Sequence, residues 1–242
     1  MSGNNMMRIY DLKIIFHEIM LGHAPADREV YQRFIQAKER ARDEAAAEAK
    51  GDELESLPIE DLEKSGWSVF HKDDQGLLIY NYMVRGVFKA AAEAVTGTTG
   101  MTAYRSKIDK FLFVTPRRIH FQRNGQFIKE PDGQYERPIR VMTMQGPRVS
   151  LKRSDHLDPA KGEFTLSCRL HIMPLGRTEI SEKRLRSWLD YGDWGSGFGE
   201  WRSGGFGRFH YDLKLVQEGE DAEKKEEKPK KGQAVESTAT VK

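Results

Sequence analysis

A single cysteine, Cys168, serves a chain of 242 residues. An internal disulfide is excluded, and a cysteine-based zinc site has no ligands to draw on. No run approaches the ~18 consecutive apolar residues of a membrane span. The opening residues Met1 to Arg8 are polar and carry no signal-peptide core, so a cytoplasmic protein with no membrane partner is expected. Net charge is nearly absent too, at +2, so overall charge names no partner. The sequence has no Gly-Lys-Ser/Thr phosphate loop, His-x-x-x-His, His-Glu-x-x-His, Asp-x-Asp cluster or Gly-x-Ser-x-Gly elbow. No metal and no cofactor are expected on that ground. Strand alternation puts Cys168 on a buried face, where cysteine is an inert small hydrophobe.

What is present is unevenly spread. Hydrophobic residues make up 38% of the chain and aromatics 10%, enough for a core. Charged residues make up 31%, more than the ~25% of ordinary domains, which points to segments that do not pack. The run 217–242 holds seven acids and six bases with no apolar period and reads as a disordered charged tail. The body, 1–216, reads as one elaborated domain. From Asp52 to Lys64 there are six acids and one base, expected to form a mobile linker. From Arg105 to Arg153 there are twelve Lys/Arg and four Asp/Glu, a footprint suited to a polyanion. Long basic side chains that merely solvate strands would give the same composition.

Periodicity supplies the elements. Tyr10, Leu12, Ile14, Phe16 and Met20 alternate with polar positions, a half-buried strand. Asp27 can cap a helix carrying Val30, Phe34 and Ile35, extended by a solvated stretch to Lys50. Trp67–Phe70 and Leu77–Tyr82 flank an Asp-Asp-Gln-Gly turn, and Val84, Val87, Phe88, Ala91 and Val95 recur at helical spacing as far as Gly97. Ile108–Val114 reads as a strand ended by Pro116. Asn124-Gly125 reads as a turn, and a hairpin is expected around Gln145-Gly146-Pro147. Phe164 to Ile172 alternates strictly, Ser181 can cap a helix bearing Leu185, Trp188 and Leu189 that stops at Gly192, and Phe209 to Leu215 alternates again. The expected fold is α+β: a ferredoxin-like (RRM-like) antiparallel sheet with helices on one face, a glycine-rich loop before the last strand, and an inserted hairpin and helix from Trp67 to Gly97.

The loop Gly192–Gly207 packs seven glycines into sixteen residues. That density raises the entropy cost of ordering it and calls for positive φ or close approach to the backbone. A phosphate chain cradled by Gly195, Gly197, Gly199, Gly204, Gly205 and Gly207 would supply the reason, with charge from Arg202 and Arg208 and flat faces from Trp194, Phe198, Trp201 and Phe206. A loop that folds back and uses its aromatics as core plugs is the competing reading. The segments Gly195-Ser-Gly-Phe-Gly199 and Gly204-Gly-Phe-Gly-Arg208 lie between a helix and a last strand. In this the chain resembles the RAMP (repeat-associated) superfamily of CRISPR-associated RNA-binding proteins, and Tyr82–Lys89 and Arg137–Thr143 are compatible with it. The resemblance extends in organisation from Ile9 to Val216 and is specific in motif only at the loop. It implies binding of single-stranded or structured RNA, within a larger ribonucleoprotein complex in some members. Some members also cut RNA without metal.

Candidate contacts to nucleic acid are therefore Arg117, Arg118, Arg123, Arg137, Arg140, Arg148, Lys152, Arg153, Arg169 and the loop residues. Candidate catalytic groups are histidines. Alternation puts His17, His171 and His210 on the wet faces of three strands, where a pair could act as general acid and base on a 2′-hydroxyl. His23 lies in the turn after the first strand, near the place where relatives that cut RNA carry a histidine. A polar face without chemistry is the plainer account of all four. RNA or single-stranded nucleic-acid binding leads, with a binding protein favoured over an enzyme. A metal-independent endoribonuclease is second, and a phage-type scaffold or interference protein that engages a protein partner is third.

Overall fold

The computed structural model describes residues 7–26, 67–143, 146–173 and 180–218. The expected helix after Asp27, the acidic linker and nearly all of the charged tail lie outside the described residues. The described chain is α+β, and its sheets are mostly antiparallel. No described helix is long and apolar enough to cross a membrane.

Three alternating segments build the central sheet. Strand β1 (Arg8–Phe16) runs between β13 (Phe164–Ile172) and β14 (Phe209–Gln217), antiparallel to both. The register places Leu12 between Cys168 and Leu213, and Phe16 between Phe164 and Phe209. The other side of β13 pairs with β7 (Leu112–Thr115) at one end and with the short β9 (Gln122–Arg123) at the other. The order β14-β1-β13-β7 follows, with β10 (Gln126–Phe127) outside β9.

One face of this sheet is covered by helices. α1 (Asn81–Ala94) lays Val84, Val87, Phe88 and Ala91 on it. α4 (Glu182–Trp194) adds Leu185, Trp188 and Leu189, and Phe88 meets Trp188 edge to face at 6.0 Å. Ser181 caps α4 as its sequence suggests, its Oγ accepting from the Arg184 amide at 3.4 Å. The helix does not stop at Gly192 but runs on to Trp194. Gly192 instead lies against the Phe209 ring, where a Cβ would collide. Phe16, Phe121, Phe164, Phe198 and Phe209 form an aromatic cluster at one end of the core, with Phe16 and Phe164 stacked at 4.7 Å.

The first part of the expected strand at Ile108–Val114, Ile108–Phe111, belongs instead to helix α3 (Tyr104–Phe111), and the rest is extended as Leu112–Thr115. Tyr104, Ile108 and Phe111 stand at i, i+4 and i+7, so a helix here turns all three toward the core, with Ile108 fully buried. Among the described residues, α1 lies between β1 and β7 in the chain and packs into the main core through Val84, Val87, Phe88 and Ala91. Short α2 (Thr96–Thr99) follows α1.

The remaining strands form two smaller sheets. β11 (Gly133–Thr143) and β12 (Gly146–Leu157) make a long antiparallel arm, with β12 also pairing β2 (Met20–Leu21) and, in parallel, β4 (Trp67–Val69). β4 pairs with β3 (Ala24–Pro25) rather than closing a hairpin on the next strand. The third sheet is β5 (His71–Lys72), β6 (Leu77–Tyr80) and β8 (Arg118–His120).

Candidate functional site: the open sheet face and the glycine loop

The face of the central sheet away from the helices is polar. Along β1 it carries Asp11, Lys13, Ile15 and then His17, along β13 Ser167, Arg169 and His171, and along β14 His210, Asp212 and Lys214. Lys13, Ser167, Arg169, Asp212 and Lys214 are all exposed, so this face is open. A shallow groove of about 640 Å³ crosses it, lined by Asp11, Lys13, Thr115, Pro116, Ser167, Arg169, Asp212 and Lys214. Two ion pairs lie across the groove floor, Arg169 to Asp11 at 2.7 Å and Lys214 to Asp212 at 2.9 Å. The carboxylates hold both cations above their ordinary pKa. Cys168 points into the core beneath. Burial first, and then the Asp11 charge, push its thiol up to about 12, so it is no nucleophile.

The candidate histidines separate. His17 and His210 meet at one end of the sheet, their rings stacked at 4.4 Å, and both contact Asp193 at the end of α4. His171 is at the opposite end of β13, paired in register with Ile9, where its Nε2 lies 2.8 Å from the Thr115 hydroxyl. Partial burial, then Arg169, lower its pKa. His23 is elsewhere again, edge-on to Phe70 and His71. Both of its ring nitrogens are buried without a hydrogen-bond partner. Burial, reinforced by the His71 charge, pulls its pKa down to about 3. Burial thus holds His23 neutral, with both ring nitrogens enclosed by protein.

The glycine loop folds inward. Phe198 is buried among the aromatic cluster as a core plug. The Phe198 amide donates to the Gly207 carbonyl at 2.9 Å and the Gly207 amide to the Ile19 carbonyl at 2.7 Å. A Cβ on Gly197 would strike the Gly207 carbonyl, one on Gly207 the Phe198 carbonyl, and one on Gly199 the Leu21 carbonyl. Cβ atoms at Gly195 and Gly204 would enter the Tyr191 and Trp201 rings. The close approach that demands glycine is therefore to this chain's own backbone and rings. Gly205 alone has ordinary room, although its φ of +90° still favours glycine.

The loop is fastened to the arm by a residue that sequence reasoning missed. Glu200 accepts from Ser68 Oγ at 2.7 Å and from Ser154 Oγ at 3.2 Å, pairs with Lys152 and lies 3.8 Å from Arg137. The Arg137 guanidinium also lies 4.0 Å over the Trp201 ring, which stacks on Phe206. Only contacts across the fold mark Glu200 out, so no local pattern could have found it.

These contacts divide the basic block. Arg123 is held by Asp132 in a bidentate pair, with the Gly162 and Asp158 carbonyls, which makes it a structural residue. Arg137 and Lys152 are committed to Glu200, Arg118 to Asp73 at 3.3 Å and Arg153 to Glu136 at 2.8 Å. Arg208 is half-buried, with Nε enclosed and lacking a partner. Arg117, Arg140, Arg148 and Arg202 are exposed. Comparison with protein-family models and with curated proteins returned no match.

Proposed function

We propose that the protein binds RNA or single-stranded nucleic acid across the open face of a ferredoxin-like sheet. The observation that carries this reading is the uncovered polar face with its groove: a four-stranded antiparallel platform with Lys13, Arg169 and Lys214 exposed on it. Sheets of this kind accept splayed single strands on the face opposite their helices. The order β14-β1-β13-β7, with α1 and α4 beneath, supports the ferredoxin-like assignment, and the loop position supports the RAMP resemblance. Arg117 beside Pro116 extends the cationic track at one edge, and Arg140 is exposed on the arm. The binding footprint is smaller than the basic block, because Arg123, Arg137 and Lys152 are held in largely enclosed ion pairs, whereas the pairs of Arg169 and Lys214 on the sheet face are exposed and can open to a phosphate. In a larger ribonucleoprotein, the arm's outer face, with Val149 and Leu151 exposed beside Arg140 and Arg153, is suited to subunit contact.

Fluorescence anisotropy of a labelled single-stranded RNA against the purified full chain, in chelator and at low salt, tests the reading. Saturable binding that weakens linearly on a log–log plot against salt is the expected result. Absence of binding to RNA and to single-stranded DNA overturns it in favour of a protein partner.

A further inference from the structure

The histidine cluster at the end of the sheet has a geometry that RNA contact does not require. His17 directly follows β1, His210 stands on β14 opposite Ile15, and Asp193 lies in the last turn of α4. His17 Nε2 is 2.7 Å from Asp193 Oδ1, and His210 Nδ1 is 3.2 Å from Asp193 Oδ2. One potential ligand atom from each of the three side chains lies within 4.8 Å of the other two.

We propose that His17, Asp193 and His210 form a binding site for a divalent first-row transition ion, zinc being the best fit, with coordination positions open to solvent. The inference goes beyond the RNA reading and does not rest on it. Two imidazole nitrogens and one carboxylate suit zinc and its neighbours and disfavour magnesium and calcium, which prefer oxygen donors throughout. Ligand atoms around tetrahedral zinc stand about 3.3 Å apart, given bonds of ~2.0–2.2 Å. The two contacts to Asp193, at 2.7 and 3.2 Å, are a little shorter than that separation, so the side chains must move slightly apart to admit an ion. Among the described residues no lysine or arginine pairs with Asp193, so no internal cation competes for its charge.

The three ligands are also held in place before any ion arrives. The His17 amide donates to the Arg208 carbonyl at 3.3 Å, and Phe16 and Phe209 beside the two histidines are fully buried. Gly192, next to Asp193, is seated on the Phe209 ring, which fixes the end of α4 against β14. The side chains of His17, Asp193 and His210 are 31%, 23% and 63% exposed, so the remaining coordination positions reach water. Three protein ligands with an open fourth position is the pattern of a site that binds a further ligand, rather than one that only braces a fold. On binding, each imidazole gives the facing nitrogen's lone pair to the ion, and a neutral ring carries its hydrogen on the other nitrogen.

Equilibrium dialysis and calorimetry of the full chain with zinc chloride, with cobalt(II) absorption as a second readout, test the site. Expected are one ion per chain at micromolar affinity or better, and a visible cobalt band of low-symmetry, four- or five-coordinate type. His17→Ala, His210→Ala and Asp193→Asn should each weaken binding by more than about tenfold, the scale on which even outer-shell partners act. His171→Ala and His156→Ala should bind as the wild type does. Circular dichroism of every variant establishes that it is folded. The proposal is overturned by wild-type protein that binds neither ion saturably, or by His17→Ala and His210→Ala binding as tightly as wild type. RNA binding measured in chelator would stand in either case.

Discussion

The glycine loop and the open sheet face lie at neighbouring parts of the molecule and are built on opposite terms. The loop is rich in residues that allow close approach, and the closest approaches of Gly195, Gly197, Gly199 and Gly207 are to Tyr191, to Leu21 and to its own carbonyls. The sheet face has no distinctive motif, yet it presents a row of charged and imidazole groups to solvent over a rigid floor. Glycine density therefore marks a tight packing problem here, whereas plain alternation marks the surface available to a ligand. A glycine without a Cβ lets two backbones touch as readily as it admits a phosphate. The sequence does not distinguish the two, and the contacts do.

The contrast breaks first at Gly207. Its Cβ would strike the Phe198 carbonyl, and its φ is +70°, so Gly207→Ala should cost about 4 kcal/mol or more, or prevent folding. Gly205→Ala meets only the Arg208 guanidinium at 3.5 Å and should cost about 1 kcal/mol. Urea denaturation of both variants checks the difference, and equal losses would remove the packing account of the loop. Next come the core residues beneath the open face. Leu166→Ala and Leu170→Ala should each cost about 2–5 kcal/mol, whereas Ser167→Ala between them should change stability by about 0.5 kcal/mol or less.

A smaller effect separates His23 from the surface histidines. Its pKa is about 3 in the folded chain and ~6.5 unfolded, so the unfolded state binds more protons between those values. Stability should therefore fall as pH drops below about 6.5, down to about 3. His23→Leu removes that proton uptake and two buried polar atoms without partners. The variant should lose stability less steeply over the same range. Thermal melts from pH 7 to pH 4 with identical slopes for both proteins would contradict the burial of this side chain.

The sequence is legible where burial is one-sided and local. β1, β13 and β14 each alternate because one face meets the helices and the other meets water, and their registers put like residues together. It misleads where two signals overlap. Ile108, Phe111, Leu112, Phe113 and Val114 look like one apolar run, which hides the helical spacing of Tyr104, Ile108 and Phe111. Of the site at the sheet's end, His17 and His210 are legible from alternation. Asp193 is not, because nothing near it in sequence ties it to a histidine 176 residues away. The basic block is legible as composition, but the carboxylate that holds Arg137 and Lys152, Glu200, comes from a loop far along the chain, and Arg123 is held by Asp132 across a turn that composition does not reveal.

The salt dependence of RNA binding, compared between two variants, tests the claim that the sheet face is the ligand surface. Lys13→Ala, Arg169→Ala and Lys214→Ala combined should weaken binding strongly and lower the log–log salt slope by about 2, near 0.7 for each phosphate of a single strand that is no longer neutralised. Arg202→Ala in the loop should lower it by less than the share of one phosphate. A face variant that binds with wild-type affinity and slope, beside an Arg202→Ala variant that loses both, would contradict the account and return the ligand to the glycine loop.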